Sequence, residues 1–309
     1  MSFKNLRVER IELRDALLKS YPTQKRGHVK IGEKKWFLPY KYVEIGSKIY
    51  NFETRPDDTW IVTYPRSGTT VTQELVWLVA NDMNFEEALR RPLKDRFPFI
   101  DLDAIIDDHM YTIDLVQNQS APRFIKSHMP FDLLPTVVNS DCKIIYVARN
   151  PRDVIISWYN FQKDMEVYQY RGTLEQFCDQ FMSNHTIYEP YWEHIKEAWA
   201  VRHRKNLLFL FCEDLIKDLS GIIEKVIAFF GKTYSDKQIA KLVDHLKIEN
   251  FRKNYMVNQA SISSAIKPEA FIRQGKVGGW KEVFTAEIEE KVSKWIAHNT
   301  KDTDLTFPD

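Results

Sequence analysis

Arg66, Ser67, Gly68, Thr69 and Thr70 stand inside the run TWIVTYPRSGTTVTQELVWLVAN, Thr59 to Asn81. Their types suit anion binding. Successive backbone N–H groups, three hydroxyls and one cation would meet where a strand hands over to a helix, whose N-terminus is electropositive. Gly68 permits a close approach of backbone to ligand. A nucleotide-hydrolysing P-loop reads G-x-x-x-x-G-K-[ST], whereas here a single Gly follows an Arg. The competing reading is an ordinary strand-to-helix turn in which Ser, Gly and Thr only cap the helix.

Three further segments carry candidate chemistry. In YVARNPRDVIISWYNF, Tyr146 to Phe161, Arg149 stands just past a strand and suits bidentate grip of a phosphate, or a surface ion pair with Asp153. Ser157 lies about two helical turns further on, away from the strand end unless the helix starts late. In RFIKSHMP, Arg123 to Pro130, Lys126 and His128 fall at a strand end. An imidazole titrates near neutrality and takes a proton from a hydroxyl, while a neighbouring Lys stabilises charge on a transferring group. Most of the eight histidines must instead be structural or solvated. In FIRQGKVGGWKEVF, Phe271 to Phe284, the Gly-rich basic pattern reads as a flexible loop that closes over a ligand, or as a solvated loop.

The elements that must position these residues are legible as apolar runs. WIVTY (Trp60 to Tyr64), RFIKS (Arg123 to Ser127), KIIYVA (Lys143 to Ala148) and NLLFLF (Asn206 to Phe211) read as buried strands. Val71, Leu75 and Leu78 fall on one helical face, widened by Val76 and Val79. Asn150, Pro151 and Asp153 suit a helix start, and the helix LSGIIEKVIAFFG ends at Gly231. Alternating strands and helices predict an α/β fold, a mostly parallel sheet flanked by helices, with ligands at the carboxyl ends of the strands. Without repeats or linkers, the whole chain, residues 1–309, reads as a single domain.

Composition narrows the partners. The 44 basic and 43 acidic residues leave a net charge of +1, so no global field draws nucleic acid or an anionic membrane, and any anion site is local. Cys142, Cys178 and Cys212 are odd in number and widely spaced, which argues against a disulfide framework or zinc site and for a cytosolic setting. No signal-peptide pattern or run of about 18 apolar residues is found, so the expectation is a cytoplasmic protein with no membrane span.

Taken together, TYPRSGTT, YVARNPRDVIISWYNF and FIRQGKVGGW resemble, in order and spacing, the cytosolic sulfotransferase family from about Trp36 onward. The resemblance implies transfer of a sulfuryl group from 3′-phosphoadenosine 5′-phosphosulfate (PAPS) to a hydroxyl of a small lipophilic acceptor, a phenol, sterol or other alcohol, without a metal. It assigns His128 as general base, Lys126 to the sulfuryl oxygens, and Arg66, where a Lys is usual, to the leaving phosphate. Arg in that place is similar to arthropod-like members. Arg149, Ser157, Arg273 and Gly275 would hold the 3′-phosphate, and Phe99 and Phe161 would wall the acceptor pocket beside Lys126 and His128. Lys281, Thr285 and Glu290 match a short dimer motif, with Ala286 where Val is usual, which implies a homodimer.

Several positions depart from the family pattern. Val71 replaces a Trp that stacks on adenine, and Cys212 a Tyr that reaches the purine. Lys247 and Ile248 stand for Ser and Phe, and Gln274 for a Lys beside Arg273. An aromatic stack on a base is worth about 1–3 kcal/mol, so the adenine site looks depleted. Two readings follow: an active transferase, or a ligand-binding or regulatory protein of the same fold with little transfer activity. A small-molecule kinase is disfavoured by the missing Lys-Ser/Thr pair and the lack of a clear magnesium carboxylate.

Overall fold

All four predicted strands form, as β4 (Thr59–Thr63), β5 (Phe124–Ser127), β6 (Lys143–Ala148) and β7 (Leu207–Phe211). They make one parallel sheet in the order β5-β4-β6-β7. A computed structural model describes residues 3–11, 20–24, 26–106, 112–257 and 275–308.

Strand periodicity of two divides the core. Trp60, Val62, Ile144, Tyr146 and Ala148 face one cluster, while Ile61, Ile145, Val147 and Leu210 face the other. Helix α2 (Thr69–Ala80), which follows β4, buries Leu75, Val76, Leu78 and Val79 in the second cluster. Helix α3 (Pro151–Asp164), which follows β6, buries Val154, Ile155 and Trp158 in the first. Two adjacent parallel strands therefore send their helices to opposite faces. That divergence opens a crevice at the carboxyl ends of β4 and β6, where open α/β sheets bind ligands.

The sequence reading did not anticipate a second sheet. Strands β1 (Val8–Ile11), β2 (His28–Ile31) and β3 (Trp36–Pro39) pair antiparallel. Val29, Ile31, Trp36 and Leu38 pack into the first core cluster, and Trp36 Nε1 donates to Asp132 Oδ2 at 2.9 Å. This sheet also holds the site: Phe37 donates to Glu189 O (2.8 Å) and accepts from Tyr188 N (2.9 Å). Helix α1 (Tyr42–Tyr50) covers the same cluster with Tyr42 and Ile49.

Helix boundaries follow the chemistry of their end residues. Asn150 Oδ1 accepts from Arg152 N at 3.0 Å, and Pro151 occupies the first helical position. The helix Leu219–Phe229 stops before Gly231, whose φ of +61° supplies the left-handed residue that releases the chain.

Candidate active site

The loop between β4 and α2 borders a cleft of about 1310 Å³, through Arg66, Gly68, Thr69, Thr70 and Val71. Gly68 is required twice over. Its φ is +90°, and a Cβ there would lie 3.1 Å from Cys212 Sγ. Ser67 is fully buried, and its Oγ has no hydrogen-bond partner among the described residues. Thr69 and Thr70 border the cleft directly.

Ser157 does meet the loop, although α3 starts promptly at Pro151 and not late. The flank of the helix borders the cleft, through Asp153, Ser157 and Phe161 at a spacing of four. Arg66 reaches across to that flank: its Nε donates to Ser157 Oγ at 3.0 Å, and its guanidinium lies 4.6 Å over the Phe161 ring. Arg66 itself has φ of +68°, a strained conformation for a non-Gly residue and one concentrated at functional sites. Arg149 makes no ion pair with Asp153. It donates from Nη1 to Arg66 O (2.9 Å) and from Nη2 to Lys276 O (3.2 Å).

Asp153 instead accepts from Gly278 N (2.8 Å) and Trp280 N (3.3 Å). The segment after Gly275 is largely exposed yet anchored beside Arg149, and it contains the turn Gly279–Glu282. Gly275 borders the cleft and packs toward Ile248. Arg273 and Gln274 lie outside the described residues.

Lys126 and His128 end β5 and border the same cleft. His128 Nδ1 lies 2.8 Å from Thr63 O. A carbonyl only accepts, so Nδ1 carries the proton and Nε2 is the imidazole's acceptor. Burial, and then the positive charges of Lys126 and Arg66, push His128 well below the usual imidazole range. The ring is therefore neutral at physiological pH. His194 Nε2 donates to His128 O at 2.9 Å, and His194 Nδ1 accepts from the Tyr146 hydroxyl at 2.7 Å. Asp101 accepts from His128 N (2.7 Å) and from Ser127 Oγ (2.6 Å). Burial raises its carboxyl to about 6.

Lys126 Nζ sits 4.1 Å over the Phe99 ring. Burial, reinforced by Arg66 and opposed by Asp101, lowers its ammonium to about 8. Phe99 also packs edge-on to His128 at 5.1 Å, so one aromatic touches both groups. Part of the cleft wall is apolar, with Phe99, Trp158, Phe161, Met165, Val167 and Tyr168. Val71, Cys212, Lys247 and Ile248 border the cleft as well, along with Phe251. Two of these four departures, Val71 and Ile248, put an aliphatic side chain where the family pattern has an aromatic one.

Thr63, Asp101 and Tyr188 were missing from the sequence reading. Thr63 ends a strand as any β-branched residue might be expected to, and a lone Asp or Tyr outside a motif carries no spacing signal. Lys281, Thr285 and Glu290 serve local roles here. Thr285 caps the helix Ala286–Thr300 by accepting from Ile288 N at 3.2 Å, Glu290 pairs with Lys294 at 2.6 Å, and Lys281 lies by Trp280. Among the described residues no three His, Cys, Asp or Glu groups cluster as metal ligands, and no helix is long and apolar enough to cross a membrane.

Residues 56–304 match the family model described as a sulfotransferase domain. The chain is similar to Sulfotransferase 4A1 of Homo sapiens, 34% identical over 261 residues that cover 84% of this chain and 86% of that protein. It is similar to Sulfotransferase 1A1 of Bos taurus, 33% identical over 270 residues that cover 86% and 91% of the two chains. The fold is similar to a crystal structure of retinol dehydratase in a complex with retinol and PAP, with a TM-score of 0.92 and 34% identity, covering 98% of this chain and 99% of that one. A second structure of retinol dehydratase, with androsterone and inactive cofactor PAP, gives 0.90 and 33%, covering 98% of each.

Proposed function

We propose that this chain, which belongs to the sulfotransferase family and is a PAPS-dependent sulfotransferase, moves the sulfuryl group of PAPS to the hydroxyl of a lipophilic alcohol. The observation that carries the acceptor reading is one cleft with two chemistries. A cationic, N–H-rich loop and an apolar aromatic wall border the same cleft, and Lys126 and His128 touch that wall through Phe99. The structural relatives bind retinol and androsterone, both apolar bodies with a hydroxyl, which supports an acceptor of that shape here.

The residues present fit the donor. Gly68 keeps the loop backbone clear, Thr69 and Thr70 supply donors, and Arg66 and Arg149 supply charge for two phosphate groups. In this reading His128 Nε2 takes the proton of the acceptor hydroxyl. Lys126 stabilises charge on the transferring group, and Arg66 clamps the leaving phosphate. Arg66 cannot give up its proton, so it acts by charge and geometry alone. Arg149, Ser157, Arg273, Gln274 and Gly275 hold the 3′-phosphate side, Val71 and Cys212 border the purine, and Phe99 and Phe161 guide the acceptor. We place the protein in the cytoplasm as a homodimer through the segment of Lys281, Thr285 and Glu290.

The test is calorimetric titration with PAP (3′-phosphoadenosine 5′-phosphate) beside ATP, followed by transfer of labelled sulfate from PAPS to phenols, sterols and long apolar alcohols. Binding of PAP alone, with a Kd on the order of micromolar, is expected. Binding of neither nucleotide would overturn the reading and leave a ligand-binding protein of this fold. The aliphatic purine end gives a sharper expectation. Val71 is only half-buried and borders the cleft, so a larger side chain has room. Val71→Trp is expected to tighten PAP by about tenfold, the lower part of what one aromatic–base stack supplies. Unchanged affinity in the same titration would show that the purine lies elsewhere.

A further inference from the structure

We infer that Thr63 couples occupation of the anion loop to the basicity of His128, through a one-way hydrogen-bond chain from the imidazole to the Thr69 hydroxyl. The inference rests on the donor site proposed above. Thr63 is fully buried at the end of β4. Its carbonyl lies 2.8 Å and its Oγ1 3.1 Å from His128 Nδ1, and Oγ1 lies 2.8 Å from Thr69 Oγ1.

The direction of each bond follows from the first. Because the carbonyl has no proton to give, Nδ1 donates, and its hydrogen is shared between Thr63 O and Thr63 Oγ1. Thr63 Oγ1 is then an acceptor toward His128, and because Thr69 Oγ1 is its one other hydrogen-bond partner among the described residues, its own proton goes there. Thr69 accepts that bond, and its hydroxyl proton is left for the cleft it borders. Three donors thus run one way, from the base to the anion loop.

An anion that takes the Thr69 proton polarises each bond behind it, since hydrogen bonds in a chain strengthen one another at low dielectric. The Nδ1–H bond strengthens, and Nε2 becomes more basic, as when a carboxylate orients a catalytic imidazole but more weakly. The other groups around the ring do not supply this response. Lys126 and Arg66 oppose protonation, His194 contacts the backbone carbonyl, Asp101 holds the backbone N–H, and the Tyr188 ring packs at 5.6 Å. In the empty cleft the base is weak, as burial alone dictates. The chain strengthens it once the donor is in place, so the acceptor hydroxyl is activated only when there is a group to receive.

The experiment follows the His128 imidazole by NMR titration of 15N-histidine-labelled protein, with and without PAP, in wild type, Thr63→Val and Thr63→Ser. His128→Gln assigns the resonance. PAP is expected to raise the titration midpoint in wild type. Thr63→Val should lose about half of that rise or more and lower kcat roughly tenfold, while Thr63→Ser restores both. Thr69→Val cuts the next link and should lose the rise likewise, which decides the matter if Thr63→Val does not fold. Equal midpoint shifts in all variants would overturn the coupling while leaving the transferase reading intact. Wild type that fails to bind PAP would overturn both.

Discussion

Replacing His128 by Ala is expected to lower turnover by about 10²–10⁴-fold, the range that a positioned general base supplies, while PAP affinity stays within a few-fold. The split follows from the geometry. His128 borders the cleft by its imidazole, but the anion loop is held by Gly68, Arg66 and Arg149, none of which depends on that ring. The pH profile gives a second reading of the same group. His128 is held well below the usual imidazole range by burial and by Lys126. Activity that needs neutral Nε2 is lost as pH falls through this lowered value. The acid limb of kcat/KM therefore lies below the ordinary range of histidine. A limb near that ordinary range, or turnover unchanged in His128→Ala, would remove His128 as the base.

What the sequence made legible was decided by burial. The runs WIVTY, KIIYVA and NLLFLF are apolar because both faces of a parallel sheet are covered, and such strands announce themselves. In the antiparallel sheet, HVKI puts a His and a Lys among two apolar residues and WFLP ends on a Pro, which a strand pattern disfavours. That His28 is nonetheless fully buried, stacked on Phe37 at 4.6 Å, is a tertiary outcome. The site divides the same way. Lys126, His128, Arg149 and the anion loop follow strand ends and could be placed by counting. Ser157 could not, because its part depends on Arg66 extending across the cleft. Asp153 looked like the partner of Arg149, and only the path of the segment 275–284 shows that backbone N–H groups claim it. Thr63 matters through the tautomer it imposes, which no residue spacing encodes.

Lys126→Met is expected to lower kcat/KM by about 10²–10³-fold, the cost of removing one preorganised donor from developing charge. Methionine keeps an apolar stem of similar reach but not the Nζ that lies over Phe99, so the loss reports the ammonium. The pH dependence separates this from a packing defect. Burial lowers Lys126 to about 8. The charged form is present below that value, and activity that depends on it is lost as pH rises through it. Wild type should thus show a basic limb near pH 8 that Lys126→Met lacks. The acid limb should move as well. Lys126 is, after burial, the main charge holding His128 down, so its removal lets the imidazole protonate more readily and shifts that limb upward. One substitution would then erase one limb and displace the other, because the two groups share a buried wall and each feels the other's charge. A variant that loses rate with both limbs in place would mean that Lys126 only shapes the cleft.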